Sequence, residues 1–528
     1  MNNTVFIPCA GLGTRLGNLT KYLPKPLVSI QNVPAITKVF KQFPKNSNFV
    51  IALGFQGNLL REYIELAHSD LNIQFVNVDC FEGPGSGLGF TLLCAEPLLR
   101  KPFIFCSCDT LFTGSLPPDE INWIGWGSAI NASNYRTAWF SPDNSNVLKI
   151  LPKSHPGSTQ NIYIGLARIQ DWKIFWDAIK DGGNDAIMEG EAYGLGVLCE
   201  KMCCNQFYFD WIDVGSCEGL NKANNVYGSE VDAVILPKEK ESIWFFDDQV
   251  IKFHQEKEFI KNRVERSNFL EGFVPSISRY SDHFFQYKKV EGNVYSRIAC
   301  RANFSDFLSY CQKFWQKSDV SDEYKTEFKK QCLHFYQTKT LGRLRDFYEQ
   351  FKCQDNAIII NGVCMPTLAN ILDKIDWDWI SSGLPGRFHG DFHFENILKT
   401  DGGNFVFVDW RQDFCGNLEI GDIYYDLAKL YHGIIVNHNM INQNLFHVDW
   451  VGDKIAYDFH RYQRLVECEK DYFEWLSQEG YDCRKVKLIT GLIFLNIASL
   501  HHHPYCLLLY ALGKTLVFRE AWCSSEHN

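Results

Sequence analysis

Two stretches of the 528-residue chain combine residue types and spacings that can do chemistry. The first is Ala10-Gly11-Leu12-Gly13-Thr14-Arg15-Leu16, followed by Leu23-Pro24-Lys25-Pro26-Leu27. Glycines let the backbone approach phosphate oxygens, and the N–H groups around Gly11, Gly13 and Thr14 supply donors. Arg15 can fork onto a triphosphate, and Lys25, held between two prolines, is a cation with little backbone freedom. Together they predict a nucleotide-phosphate site with Arg15 and Lys25 as its catalytic cations. The second stretch is His389-Gly390-Asp391-Phe392-His393-Phe394-Glu395-Asn396, with Phe405-Val406-Phe407-Val408-Asp409 after it. In this H-G-D-x-x-x-x-N pattern with a following apolar strand, Asp391 can accept the proton of an attacking hydroxyl. Asn396 and Asp409 then converge on a Mg²⁺ that bridges the ATP phosphates.

The surrounding pattern says which elements must hold these groups. Thr4–Cys9, Phe49–Gly54, Ile73–Val78 and Pro102–Cys108 read as apolar strands, with a helix over Leu59–Ala67. This rhythm predicts an α/β, doubly wound parallel sheet whose ligands sit at the carboxyl ends of the strands. The pattern resumes with a strand at Ile162–Ile169 and a helix at Trp172–Ile179, and Tyr208–Val214 closes it. A polar stretch over Ser229–Ser242 marks a boundary between domains 1–232 and 240–528. Beyond it come a hairpin (Ile243–Phe246, Val250–Phe253), a charged helix (Glu256 to Leu270), and a helical period from Phe304 onward broken by a β-like insert near Arg387–Asp413. A small lobe over 240–300 and a helical lobe over 301–528 follow as the expected α+β architecture of the second domain.

Composition narrows the classes. Lys+Arg 52 against Asp+Glu 62 leaves a net charge of −10, which argues against nucleic acid as a partner. With 46% hydrophobic and 15% aromatic residues the chain has ample material for packed cores. The 19 cysteines show no metal-type spacing, the start carries no secretory pattern, and no apolar stretch is long enough to span a membrane. A cytoplasmic enzyme with reduced thiols is the expectation. His501-His502-His503 reads as a helix end near a substrate pocket in preference to a metal site, because adjacent helical residues diverge by about 100°.

The first string resembles the nucleotidyltransferases that activate sugar 1-phosphates and phosphocholine by NTP + X-phosphate → NDP-X + pyrophosphate. The resemblance covers residues 1–232 and implies a Rossmann-like domain. It implies that Asp109, in Cys108-Asp109-Thr110, and Asp213, in Trp211-Ile212-Asp213-Val214-Gly215, hold Mg²⁺ on the α-phosphate. It implies base contacts from the run containing Gly85, Ser86 and Gly87, an acceptor-phosphate contact from Lys153, and an acceptor-hydroxyl contact from Glu191. The glycine run departs from both the sugar-type and phosphocholine-type strings, so the nucleobase (CTP or UTP favoured) and the acceptor stay open.

The second string, with Gly421-Asp422-Ile423-Tyr424-Tyr425-Asp426-Leu427-Ala428, resembles the aminoglycoside phosphotransferase/choline kinase family over 240–528. That resemblance implies a two-lobed protein-kinase-like fold with Asp391 as the catalytic residue and Asn396 and Asp409 as metal ligands. It further implies Lys252 as the phosphate-binding lysine, with Glu265 favoured over Glu258 as its partner, and Asp426 as a support of the catalytic loop. The combined reading is a bifunctional enzyme. One half phosphorylates a hydroxyl of a sugar, amino-alcohol or polyol with ATP, and the other couples that phosphate to a nucleotide for surface polysaccharide. The alternatives are that only one half is catalytic, and that the pair is a choline kinase and CTP:phosphocholine cytidylyltransferase. The oligomeric state stays open.

Overall fold

The computed structural model describes residues 3–129, 132–228 and 240–523. The chain divides into two compact units. The first comprises the described residues up to 228 together with 240–256 and Arg279–Gln286; the second comprises Lys257–Ser278 and Tyr287 onward.

In the first unit, β1 (Thr4–Cys9), β2 (Asn48–Leu53), β3 (Asn72–Asn77) and β4 (Phe103–Cys106) form the parallel part of a nine-stranded sheet. Alternate residues of β1 enter opposite cores. Val5, Ile7 and Cys9 pack with Leu60, Tyr63 and Ile64 of α1 (Gly57–Ala67), whereas Phe6 packs with Leu92 of α2 (Leu88–Ala95). Burial on both faces explains why the strand is apolar throughout rather than alternating. Two further helices, α3 (Trp172–Asp181) and α5 (Glu191–Lys201), share the α2 side, and α4 (Gly183–Glu189) lies between them in the chain.

A purely parallel sheet is not what forms. Beyond β4 the order runs β8-β7-β9-β4-β1-β2-β3, with β6 (Asn122–Gly127) pairing β9 (Ile162–Ile169) and β10 (Cys204–Tyr208). The strand β9 is antiparallel to β4, and β7 (Thr137–Phe140) is antiparallel to β8 (Val147–Leu151). Between β7 and β8 only residues 141–146 intervene, and a connection that short makes antiparallel neighbours. A separate two-stranded ribbon joins β5 (Thr110–Thr113) to β11 (Asp210–Asp213), with Asp213 opposite Thr110. It is followed by α6 (Cys217–Tyr227), whose N-cap Ser216 accepts a hydrogen bond from the Gly219 N–H.

The division differs from a single cut between 232 and 240, most of which lies outside the described residues. Strands β12 (Glu241–Phe246) and β13 (Gln249–His254), expected as the start of a kinase-like small lobe, pack with the first unit. The reason is aromatic. Trp244, Ile251, Phe253 and Phe284 are buried in the same cluster as Tyr63, and the Trp244 and Tyr63 ring centres are 5.5 Å apart. The Trp244 indole N–H donates to Ser29 Oγ at 2.7 Å. These strands join β14 (Ile277–Tyr280) and β15 (Phe284–Lys288) in a four-stranded sheet of order β12-β13-β15-β14.

The second unit is largely helical, as its periodicity predicts. Among its helices are α7 (Lys257–Phe269), α8 (Arg301–Phe314), α9 (Ile423–Ile435), α10 (Cys483–Ala498) and α11 (Tyr505–Val517). The apolar run from Leu488 falls in α10, a buried helix, and no helix among the described residues is long and apolar enough to cross a membrane. The β-like insert is realised as β16 (Ile397–Lys399), which pairs with Asn293–Val294, and β17 (Phe405–Phe407), which pairs with β16. A second sheet, built from Ile358–Ile360, Val363–Met365, Phe446–Val451 and Lys454–Phe459, was not expected from the helical period.

Candidate active sites

In the first unit, four predicted residues from distant parts of the sequence meet. Lys25 Nζ donates to Asp109 Oδ2. Arg15 reaches both carboxylates, at 3.5 Å from Asp109 Oδ2 and 3.7 Å from Asp213 Oδ2. The ribbon of β5 and β11 sets the spacing of the acids, and Val214 N–H donates to the Asp109 carbonyl at 2.9 Å. Asp213 Oδ1 accepts the Gly215 N–H at 2.8 Å, and Oδ2 accepts the Tyr135 hydroxyl at 3.2 Å.

Two glycines make this convergence possible. Gly13 has φ +69°, and a Cβ there would lie 2.9 Å from Lys25 Cβ. A Cβ on Gly215 would lie 2.2 Å from Asp109 Oδ2 and 2.8 Å from Lys25 Nζ, so any side chain displaces the reacting groups themselves.

The electrostatics differ between the two acids. Burial alone pushes the Asp109 carboxyl up, but Lys25 and Arg15 outweigh it and hold it below the usual carboxylate range. Asp213 is raised, by burial and by the neighbouring Asp109 charge. Burial is felt by Lys25 too, yet Asp109 overrides it and keeps the ammonium charged well past its ordinary range. Arg15 is the most accessible member, with its side chain 56% exposed against 14% for Asp109.

The remaining first-unit predictions scatter. Gly11 and Thr14 are exposed on the turn beside Arg15, and Gly85 is exposed. Ser86 is half-buried, with its hydroxyl donating to the Gly83 carbonyl at 2.7 Å. The close of that run has a packing explanation: a Cβ on Gly87 would lie 2.4 Å from the Ile187 carbonyl oxygen of α4, and one on Gly89 2.1 Å from that of Ala186. Lys153 is exposed in the turn after β8. Glu191, expected to contact the acceptor's hydroxyls, is buried at the start of α5, and burial raises its carboxyl to about 7 against the pull of Arg136.

In the second unit, Asp391 sits in a tight network. Its carboxylate accepts Lys429 Nζ at 2.8 Å and lies 3.5 Å from His393 Nε2. Asn396 Nδ2 donates to the Asp391 carbonyl at 3.0 Å and to Oδ2 at 3.2 Å. Burial would raise the Asp391 carboxyl, but Lys429 and His393 hold it well below its ordinary value. Asp426 accepts the backbone N–H groups of His389 at 2.5 Å and Gly390 at 2.7 Å, and the Trp315 indole at 3.2 Å. It therefore shapes the loop without facing a substrate. The β16–β17 hairpin brings Asn396 and Asp409 to one end, with Val408 N–H donating to the Asn396 carbonyl at 2.8 Å.

Around that hairpin two expectations change. Asp409 pairs with Arg263 of α7 at 2.6 Å. Glu265, expected to face inward from the same helix, is exposed, and the buried polar positions of α7 are Arg263 and Arg266. Glu265 is two positions from Arg263 and next to Arg266, and on a helix both spacings put side chains on different faces. Lys252 is buried on β13, a strand of the first unit. His501–His503 lie in the turn between α10 and α11.

No family model matches the sequence. Among curated proteins, the chain is 24% identical over 172 residues to a bifunctional protein GlmU of Methanococcus maripaludis, covering 31% of this chain and 39% of that protein. It is 33% identical over 116 residues to a probable glucose-1-phosphate cytidylyltransferase of Bacillus subtilis, covering 21% of this chain and 41% of that one. The chain thus spans about two-fifths of the curated relatives it matches. The likeness is to a nucleotidyltransferase-like amino-terminal domain. Among solved structures, a UDP-glucose pyrophosphorylase bound to UDP-glucose aligns with 43% of this chain and 98% of its own, at 18% identity and TM-score 0.36. The CTP:phosphocholine cytidylyltransferase of Streptococcus pneumoniae aligns with 43% and 100%, at 15% identity and TM-score 0.36.

Tyr135, Lys429 and Arg263 are contacts that sequence reasoning missed. Each lies far along the chain from its partner and belongs to no motif, so only the tertiary fold brings it in. For Lys429 a signal existed: it is three residues after Asp426 on one helix, hence on the same face.

Proposed function

We propose that the first unit transfers a nucleotidyl group from an NTP to the phosphate of a small molecule, and that the second unit makes that phosphate from ATP. The observation that carries the first half is the meeting of Arg15, Lys25, Asp109 and Asp213 around one point. Arg15 and Lys25 exchange their carboxylate partners for the oxygens of the triphosphate, and stabilise the charge that builds as pyrophosphate leaves. Two carboxylates that both reach one guanidinium are close enough to share a hard cation. Mg²⁺ held by Asp109 and Asp213 would neutralise the α-phosphate. Tyr135 and Gly215 N–H keep Asp213 aimed at the same point.

In the second unit Asp391 orients the acceptor hydroxyl and takes its proton. Lys429 must yield its bond to Asp391 for that transfer, which gives it a gating part. Asn396 and Asp409, set at one end of the hairpin, are the oxygen donors for Mg²⁺ on the ATP phosphates. The product is a nucleoside-diphosphate-activated precursor of a surface polysaccharide. The Bacillus subtilis relative, named for cytidylyl transfer to glucose 1-phosphate, favours CTP and a sugar-type acceptor.

The test is pyrophosphate release by the full chain with CTP, UTP, ATP and GTP against sugar 1-phosphates and phosphocholine, alongside ATP consumption with the unphosphorylated acceptors. A dependence of pyrophosphate release on one NTP and one phosphate supports the first half. ATP consumption that depends on the matching alcohol supports the second. Absence of both with every pairing sinks the proposal.

A further inference from the structure

The second unit holds a cluster of ligating side chains that nucleotide chemistry leaves unused. His393 and Glu395 stand in the loop between Asp391 and Asn396, and His438 opens the short helix His438–Asn442. One ligand atom from each lies within 4.8 Å of the other two. His393 Nδ1 and Glu395 Oε2 are 3.2 Å apart, where bonds of about 2.0–2.1 Å to a tetrahedral ion require an edge of roughly 3.3 Å. The His393 and His438 ring centres are 5.1 Å apart, matching the roughly 5 Å that two imidazoles on one such ion demand.

A second observation points the same way. His432 on α9 is 2% exposed, and neither of its ring nitrogens has a hydrogen-bond partner. A neutral imidazole carries one donor and one acceptor, and burying both unmet is costly. Its ring centre stands 6.3 Å from that of His393 and 6.5 Å from that of His438, so the orphan nitrogens lie beside the cluster. The nearby Lys429 charge is offset by its bond to Asp391.

We propose that His393, Glu395 and His438 bind a divalent transition-metal ion of the zinc class, beside the buried and unpartnered His432. Imidazole nitrogens with one carboxylate suit Zn²⁺ and its neighbours, whereas Mg²⁺ and Ca²⁺ take oxygen ligands. The site is distinct from the Mg²⁺ position assigned to Asn396 and Asp409. Its ion ties the Asp391–Asn396 loop to the turn at His438, where Glu395 Oε1 already accepts the His438 N–H at 3.3 Å. The competing occupant is a proton, because His393 between Asp391 and Glu395 is raised to about 9 despite its burial.

The experiment is titration of the chelator-stripped full chain with Co²⁺, followed by displacement with Zn²⁺. One equivalent of Co²⁺ with visible d–d bands, no thiolate-to-cobalt absorption, and displacement by Zn²⁺ is the expected result. His438→Ala and Glu395→Gln should each remove the bands, and His432→Gln should weaken binding about ten-fold or more, with circular dichroism reporting the fold of each. Should one variant fail to fold, the other two decide. Absence of stoichiometric binding, bands of thiolate character, or full binding retained in the folded variants overturns the proposal and leaves a protonated His393 as the occupant.

Discussion

The Arg15–Lys25–Asp109–Asp213 cluster of the first unit and the Asp391 loop of the second hold their carboxylates in opposite ways. In the first, the acids are answered directly by cations, one of them largely exposed, and the backbone contributes chiefly close approach at Gly13 and Gly215. In the second, a partly exposed carboxylate is answered from several directions, with Asp426 fixing the loop's backbone. Cations that can leave for a polyphosphate suit a site that must admit a large, charged ligand. A loop locked by hydrogen bonds suits a site that must place one oxygen against one phosphorus, where misplacement by about 1 Å is costly.

That contrast can be broken most severely at Lys25. Lys25→Met keeps the stem that packs on Gly13 but removes the charge on Asp109. Nucleotidyl transfer should fall about 10³-fold, roughly 4 kcal/mol of transition-state stabilisation, with ATP consumption unchanged. Pyrophosphate-release kinetics check both parts.

Glu191 sharpens the contrast through stability. Its folded carboxyl titrates near 7 against 4.5 for the unreacted group, so between those values the folded state holds the extra proton. Stability therefore falls as pH rises through that window, and the deficit is complete above it. Glu191→Gln should raise stability at pH 8 by up to about 3 kcal/mol and change it little at pH 4.5, read from urea unfolding at both. Equal effects at the two pH values would remove the buried carboxylate from the account.

Gly215→Ala tests whether close approach, rather than charge alone, builds the first site. The new Cβ collides with Asp109 Oδ2, and transfer should drop about 10²-fold, near 2.7 kcal/mol, with the unfolding midpoint little changed. The smallest effect belongs to Arg15→Lys. An exposed arginine replaced by a point charge loses its fork but not its sign, so about ten-fold in kcat/KM is expected.

How much of this was legible before the structure depends on how local the signal is. The turn at Gly11–Arg15 and the loop around Asp391 are each written within a few residues and form, while the strand expected to end on Asp109 stops at Cys106 and leaves Asp109 in the turn that follows. The pairing of Asp109 with Asp213 rested on a motif resemblance, and a ribbon joining residues about a hundred positions apart realises it. The allegiance of β12 and β13 was not legible, because an aromatic hairpin reads alike whichever core receives it. Glu265 failed for a related reason: a charged helix does not announce which face it buries, and here the arginines turn inward. The glycines at 87 and 89, read as part of a base-contacting run, pack closely against α4.

The central claim is that one chain carries two separate catalytic centres, and a reciprocal pair of variants tests it most directly. Nucleotidyl transfer and ATP-dependent phosphorylation should be measured side by side in full-length Asp109→Asn and Asp391→Asn. The account predicts that the first variant loses pyrophosphate release and keeps phosphorylation, and that the second does the reverse. Loss of both activities in either folded variant, or retention of both, would contradict it.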